Sequence, residues 1–474
     1  MTQPEPSSPS QPLEATTLRR LGLSVAAAIV VANMIGSGVF TSAGFQAAAL
    51  HDPLAMIATW IVGGVLALCG AACYGELGAR MPHAGGEYVY LREAYHPAVG
   101  FMSGWVSLTA GFSAPIAAAA LIFAKYVGAL VPALAGGNSQ LAIAIALILA
   151  MTAMHGADTV LGGRVQTVFT LGKVALISTL ILAGLLVGKG SWGNFASRGD
   201  GLGHVLTTDF AVSLMYVSFA YSGWNAAAYI AGEIREPQRT LPRALFLGTG
   251  LVMVLYVLLN VIFIYAVPPH VLAGEGGGGP VVEVGHVAAI AMFGESAGRL
   301  ISSLIALALV SSVSAMVMAG PRVYAAMAAD RALPAVLARR NRRGVPVAAV
   351  VTQGVLAVGF VIFARHIDWL IRYIGFSLAL FATLAVASVF VFRLRDRRQN
   401  KVPGAHVLPL SYRTWGYPVT PLLFMGMSLW VAYSQARQSW TESGMVAGTL
   451  GLGALIYMVT VQRGRSTAAR APSS

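Results

Sequence analysis

The sequence predicts an all-α polytopic membrane protein of twelve transmembrane helices, ten of them forming a five-plus-five inverted-repeat core in which helices 1 and 6 are broken. Three observations lead there. Of 474 residues, 57% are hydrophobic and 10% charged, with mean hydropathy +0.71, whereas soluble domains carry about 25% charged residues. Apolar runs long enough to cross a hydrocarbon core about 30 Å thick recur along the whole chain. Two of those runs are interrupted by small residues, about half the chain apart: Val31-Ala-Asn-Met-Ile-Gly36-Ser37-Gly38-Val-Phe40 and Phe219-Ala-Tyr-Ser222-Gly223-Trp-Asn225.

Residues 1–18 are polar and rich in Pro and Ser, and read as a disordered cytoplasmic tail without a cleavable signal. Apolar runs then place helices at 22–48, 53–79, 98–131, 139–156, 164–188, 208–233, 243–267, 286–328, 345–364, 368–392, 418–436 and 443–462. The eighth run is too long for one span, and Val281–Ala297 reads as an external amphipathic segment before it. The transport core is 19–392, divided into repeats 19–190 and 205–392. A basic cytoplasmic loop (393–417), helices 11 and 12 (418–462) and a cytoplasmic tail (463–474) follow. Five spans per half is an odd number, so the two repeats run in opposite directions through the membrane.

The net charge of +13 comes from loops between apolar spans, which argues against nucleic acid as partner and for a lipid bilayer. Loops assigned inside carry Arg80, Arg92, Arg235, Arg239, Arg243, Arg322, the Arg339–Arg343 cluster and the Arg393–Lys401 cluster. Those assigned outside hold Lys189, Arg198, Arg365 and Arg437, and the Gly274–Gly279 loop there reads as flexible. Both termini are therefore expected in the cytoplasm. Cys69 and Cys73, one helical turn apart, read as small buried residues rather than as a metal site or a disulfide.

Glycine costs about 1 kcal/mol in a helix interior, and non-helical backbone at membrane depth is tolerated only against protein or a cavity. A broken helix presents free carbonyls before the break and free N–H groups after it. One such site offers N–H groups to a carboxylate and carbonyls to an ammonium, the pairing a zwitterionic α-amino acid needs. The competing explanation is that the glycines only let helices pack closely; two breaks in matching positions favour a site. Lys173, inside the fifth helix, is about 15 Å or more from either interface, too far to reach water by extending its side chain. A lysine at that depth marks a functional position. Glu76 is expected to pair with Arg80 at i+4 or with a loop arginine, Asp209 to cap the sixth helix, and Glu233, Arg235, Glu236 and Arg239 to form a charge network. Arg372 faces either the cavity or the outer interface, and His155 and Asp158 read as solvated residues at a loop edge. No G-x-S-x-G, H-E-x-x-H or phosphate loop is present, so neither an enzyme nor an ATP-driven pump is expected, and no cofactor or metal is implied.

These motifs resemble a known family. Ile35-Gly-Ser-Gly-Val-Phe40 is similar to the first-helix motif of the amino acid–polyamine–organocation (APC) superfamily. Ala220-Tyr-Ser-Gly-Trp-Asn225, with the following Glu233–Arg243, resembles the sixth helix and next loop of its L-type amino acid transporter branch. Tyr74–Tyr90 and Arg322–Pro334 resemble the exits of that branch's second and eighth helices. The resemblance covers about residues 18–460 and implies amino acid transport by alternating access. Carried over by position, Ile35, Gly36, Ser37 and Gly38 hold the carboxylate and part of the ammonium. Phe219, Ala220 and Ser222 form the other wall, with Phe219 as an aromatic lid; a packing aromatic is the alternative. Members with larger substrates often have glycine at Ser222, which implies small neutral L-amino acids here. Lys173 stands where sodium-coupled relatives hold sodium, bridging the first break to an eighth-helix hydroxyl, with Ser311, Ser312 and Ser314 as candidates. The resemblance thus implies a sodium-independent exchanger or proton-coupled transporter. Glu76, Trp224 and Asn225 take gating or structural roles. The alternative, a polyamine or cationic amino acid transporter, needs an acid in the cavity, and neither broken motif contains one. Animal members of the branch carry a disulfide-linked heavy subunit; the corresponding outer loop, Val131–Ser139, has no cysteine, so none is expected. Short loops and an Ala/Gly/Arg-rich composition point to a bacterial inner-membrane protein working alone.

Overall fold

The computed structural model describes residues 21–399 and 411–468, apart from 83–84, 158, 197–202, 204, 206, 276 and 365. Expectations for the tail 1–18 and for Asp158, Arg198, Arg365 and Lys401 lie outside the described residues. The described chain is helical, and its one β-bridge joins Leu21 to Ile234.

Among the described residues, eight helices are long and apolar enough to cross a membrane. In chain order they are the second span, Pro53–Arg80; the third, Pro97–Leu130; the fourth, Gly137–Ala157; the fifth, whose apolar part is Val168–Val187; the seventh, Pro237–Ala266; the eighth, Glu295–Ala329; the tenth, Ile367–Gln399; and the twelfth, Trp440–Thr460. The other four spans are shorter, interrupted or less apolar. The first is Leu23–Met34 followed by Ser42–Leu50, the sixth is Thr208–Tyr221 followed by Ala226–Tyr229, the ninth is Val347–Phe363 and the eleventh is Val419–Gln438. Both expected breaks are present, and each falls on the first span of a five-span half.

Local chemistry sets most boundaries. Asp52 caps the second span, its side chain accepting from the N–H groups of Leu54 and Ala55, with Pro53 at the first helical position. The third span loosens into a π-helical turn at Ser107–Ser113. Pro115 stands two residues past its end, and the wider turn accommodates a ring that would otherwise clash with a carbonyl one turn back. Thr207, rather than the expected Asp209, caps the sixth span by accepting from the N–H of Phe210; Asp209 sits in the first turn, where its charge still suits the dipole. The long eighth run divides at Gly294, whose φ of +81° ends a separate helix, Val284–Phe293.

Two expected boundaries move. The tenth helix does not end at 392 but runs to Gln399, into the predicted basic loop. Its arginines are good helix formers and are anchored: Arg393 to Glu76, and Arg395 to the carbonyls of Glu93 and Ala94. The twelfth helix likewise continues into the predicted tail, to Ala468.

The seventh span packs along the second and the first, the eighth against the third, fifth and surface helix Val284–Phe293, and the sixth against the second. The arginine-rich end of the bundle is called the basic end below. There Glu76, 1% exposed, accepts from Nε and Nη2 of Arg393 (2.9 and 2.7 Å) and from the N–H of Thr414 (2.6 Å). Of the two expected partners for Glu76, the basic-segment arginine is the one used; Arg80 pairs with Asp396.

Candidate functional site

The helix of the first span stops because Ile35 turns extended (ψ 91°) and Gly36 and Ser37 form a bend before a short 3-10 turn at Gly38–Phe40. The sixth stops because Ser222 turns extended (ψ 152°) and Gly223 takes φ +94°. The two breaks touch. A Cβ on Gly38 would stand 2.4 Å from Ala220 Cα, and one on Gly223 would stand 2.8 Å from the carbonyl oxygen of Asn33. These two glycines therefore serve close packing. Gly36 differs: a Cβ there meets only Met34 O, at 3.7 Å.

Between the breaks lies a cavity of about 40 Å³, lined by Asn33, Met34, Gly36, Ser37, Gly38, Pro115, Phe219, Ala220, Ser222, Ser312 and Met316 among others. On one side the N–H groups of Ser37 and Gly38 have no hydrogen-bond partner among the described residues. On the other, the carbonyls of Ala220 and Ser222 accept no backbone hydrogen bond among them. Free donors and free acceptors thus belong to residues lining one small cavity, with room for about one water molecule. Ile35 does not line this cavity. Its carbonyl is turned to Lys173 and its side chain is buried.

Lys173, 2% exposed, donates from Nζ to the carbonyl of Ile35 (2.9 Å) and to Ser312 Oγ (2.9 Å). Ser312 Oγ is also 3.4 Å from the same carbonyl. Tyr256 OH donates to the carbonyl of Met34 at 2.6 Å, so two orphan carbonyls of the first break are satisfied by the protein itself. Only one of the three candidate serines reaches Lys173. Ser314 bonds His155 Nε2 (2.8 Å), and Ser311 Oγ is buried without a partner among the described residues. Residues advance by about 100° around a helix, so neighbours of Ser312 face elsewhere. His155, expected in solvent, is 3% exposed, because the fourth helix runs on to Ala157 and keeps its ring between helices.

Below the second break, Trp224 stacks edge-on against Tyr74 (4.7 Å between ring centres) and Phe424 (6.2 Å). Asn225 Nδ2 donates to Glu87 Oε1 at 2.8 Å, and Tyr74 OH donates to the same oxygen at 2.5 Å. Glu87 opens the surface helix Glu87–Ala94, after Gly85 (φ +123°) and Gly86 (φ +51°). It is buried with no cation paired to it among the described residues. Burial pushes its carboxyl above the ordinary range, and the two hydrogen bonds offset this only in part. Glu87 lines a second cavity of about 110 Å³ together with Phe219, Ser222, Trp224 and Asn225. Phe219, 6% exposed, and Ser222 are thus shared walls between the two cavities. At the end opposite the basic one, Arg372 lines a cavity of about 530 Å³ with Lys125, Asp209 and Asp368, and bonds Tyr216 OH (3.1 Å) and Ser439 Oγ (2.8 Å). Of the expected inner charge network, Glu233 pairs with Arg322 at 3.6 Å, both about two-fifths exposed.

Tyr256, Glu87 and His155 were not singled out as site residues. Tyr256 and His155 are lone polar groups in apolar runs, and Glu87 follows a glycine pair; those are the signals that point to them.

A family model for amino acid permeases matches residues 21–456. The chain belongs to the amino acid permease family, within the APC superfamily. The permease is 30% identical to the serine/threonine exchanger SteT of Bacillus subtilis, over 87% of this chain and 90% of the relative. It is also 30% identical to the b(0,+)-type amino acid transporter 1 of Homo sapiens (96% of each chain). The large neutral amino acids transporter small subunit 2 of Rattus norvegicus shows the same identity (90% of this chain, 79% of the relative). This permease is therefore an integral membrane transporter of amino acids and not an enzyme.

Proposed function

We propose that this permease is a sodium-independent, alternating-access transporter of small neutral L-amino acids, acting as an exchanger or a proton-coupled carrier. The observation that carries it is Lys173, whose Nζ holds Ile35 O and Ser312 Oγ and so puts a resident cation beside the first break. The substrate's carboxylate is held by the N–H groups of Ser37 and Gly38 and its ammonium by the carbonyls of Ala220 and Ser222. Phe219 moves to admit it. Support for small cargo comes from the Ser222 side chain on the wall, from a cavity of only about 40 Å³, and from a relative named a serine/threonine exchanger.

One observation favours a second reading, a cationic amino acid or polyamine. Glu87 places a carboxyl just beyond Phe219, in a cavity adjoining the first, where a long cationic side chain would reach it.

Both readings are separated by proteoliposome uptake of labelled serine against unlabelled alanine, threonine, leucine, phenylalanine, lysine and arginine. Sodium is exchanged for choline, internal amino acid is present or absent, and two pH values are compared. Competition by alanine and threonine with no sodium effect is expected. Stronger competition by leucine or phenylalanine overturns the size argument, by lysine or arginine the neutral one, and steep sodium dependence overturns the role of Lys173.

We further propose that the basic end faces the cytoplasm with both termini, on the positive-inside bias, and that no disulfide-linked subunit is needed, since Cys69 and Cys73 both lie in the second span. Labelling single cysteines placed at Gly277 and Arg342 from outside intact cells checks the orientation; labelling of Arg342→Cys alone reverses it.

A further inference from the structure

At the basic end a groove of about 730 Å³ opens between the second span, the seventh span and the segment from Ser411 to Thr420 that leads into the eleventh. Its chemistry changes with depth. Arg239, Arg243 and Leu247 follow one another at i, i+4 and i+8, on one face of the seventh helix. At 1.5 Å per residue, Leu247 lies about 12 Å deeper than Arg239. Val65 and Leu68 of the second span face the groove from the other side, and Phe246 adds to the apolar wall. Phe246 and Leu247 are more than half exposed, and Trp415, on the third side, is 80% exposed. No carboxylate lines the groove, and neither arginine is in an ion pair among the described residues. Another apolar groove, of about 410 Å³ between the fifth and eighth spans, has Lys173 as the one charged residue in its lining.

We propose that the Arg239–Arg243 groove binds an anionic phospholipid, its phosphate between the two guanidinium groups and an acyl chain along Val65, Leu68, Phe246 and Leu247. Two guanidinium forks one helical turn apart match phosphate oxygens. A basic pocket between spans at headgroup depth suits an anionic lipid head, and an exposed tryptophan beside it suits the same interface. A zwitterionic lipid carries the same phosphate together with a cationic group that offsets it, so it neutralises the two arginines less than an anionic lipid does. The bound lipid bridges the seventh span and Ser411–Thr420, a segment held on its other side by the Thr414 N–H bond to Glu76 of the second span. Between the seventh span and that segment, the direct side-chain hydrogen bond among the described residues is Ser411 Oγ to Gln238 Oε1 at 2.9 Å.

The test uses the full chain in phosphatidylcholine nanodiscs. Phosphatidylglycerol is titrated in, and retained lipid is read by native mass spectrometry alongside the thermal midpoint. Wild type is expected to retain phosphatidylglycerol over phosphatidylcholine and to gain thermal stability. Arg239→Gln with Arg243→Gln is expected to weaken that binding about thirtyfold, from roughly 1 kcal/mol per arginine at an anionic surface and 1.4 kcal/mol per decade. Arg239→Lys with Arg243→Lys should lose less, keeping charge without the fork, and provides the comparison if the glutamine pair folds poorly. Arg397→Gln with Arg398→Gln, exposed at the same end outside the groove, should bind as wild type. The proposal is overturned if wild type shows no preference for phosphatidylglycerol, or if both groove pairs bind as wild type does. Equal loss in the Arg397/Arg398 pair also overturns it, as does a stabilisation that inorganic phosphate reproduces.

Discussion

Gly38→Ala and Gly36→Ala separate the two jobs done by glycine at the first break. In Gly38→Ala the new carbon would stand 2.4 Å from Ala220 Cα, 2.8 Å from its Cβ and 3.0 Å from its nitrogen. Carbon atoms rest about 3.5–4.0 Å apart, and the obstacle is the main chain of the other broken helix, which has no rotamer to change. The breaks must part by about 1 Å, at an overpacking cost of about 1–3 kcal/mol. Gly36→Ala meets nothing nearer than 3.7 Å, so its methyl enters the cavity without displacing anything. Thermal unfolding followed by tryptophan fluorescence and proteoliposome uptake are measured on both. Gly38→Ala is expected to lose both stability and transport. Gly36→Ala should keep the wild-type midpoint and lose transport, because its methyl occupies space the substrate needs. Adding Ala220→Gly to Gly38→Ala removes the 2.8 Å contact but not the 2.4 Å one, so rescue should be partial. Equal midpoints for the two single variants, or normal uptake by Gly36→Ala, would refute this division of roles.

Ser222→Gly removes a side chain from the wall shared by both cavities, and competition uptake should shift toward leucine and phenylalanine; an unchanged ranking removes Ser222 as the size filter. Lys173→Met keeps length but deletes two hydrogen bonds to a charged group, worth about 1.5–3 kcal/mol each. Transport should fall below detection and sodium should not restore it; sodium-stimulated uptake in this variant would make the site a sodium site. Glu87→Gln tests the buried carboxyl. Burial raises its folded pKa above the unfolded one, so its stabilising contribution is complete below the unfolded pKa and is lost as pH rises through the folded one. The amide oxygen still accepts from Tyr74 and Asn225 but cannot ionise, so the thermal midpoint of Glu87→Gln should fall less than that of wild type as pH rises from the unfolded carboxyl's pKa through the folded one. Parallel curves for the two proteins would contradict a raised Glu87 pKa.

Hydropathy located the spans because a bilayer filters residues by apolar length, and the two breaks were visible because glycine and serine are conspicuous inside such runs. Lys173 was legible for the same reason: one charge among apolar neighbours must have a partner. Which serine it meets was not, since Ser311, Ser312 and Ser314 differ only by rotation about a helix whose facing is set by packing. The tenth helix outran its apolar stretch because hydropathy ends where the membrane does, while Arg393 and Arg395 find partners beyond it. Glu87 stayed hidden because Asn225 comes from a distant part of the chain and Tyr74, though 13 residues away, lies on a different helix. The carbonyl of Ile35 shows a further limit, since a motif names a residue but not which of its atoms is left over.

The two interrupted spans are joined at three heights. Leu21 exchanges backbone hydrogen bonds with Glu233 and Arg235 at the basic end (3.1 and 2.9 Å), Gly38 abuts Ala220 in the middle, and Ser42 Oγ donates to the carbonyl of Tyr216 beyond (3.1 Å). Three ties at different levels oppose sliding of one against the other. In the alternating-access cycle proposed above the pair swings as a single lever, and the contacts that change are those to its neighbours: the Ile35 carbonyl on Lys173 and Ser312 at one flank, Asn225 on Glu87 at the other.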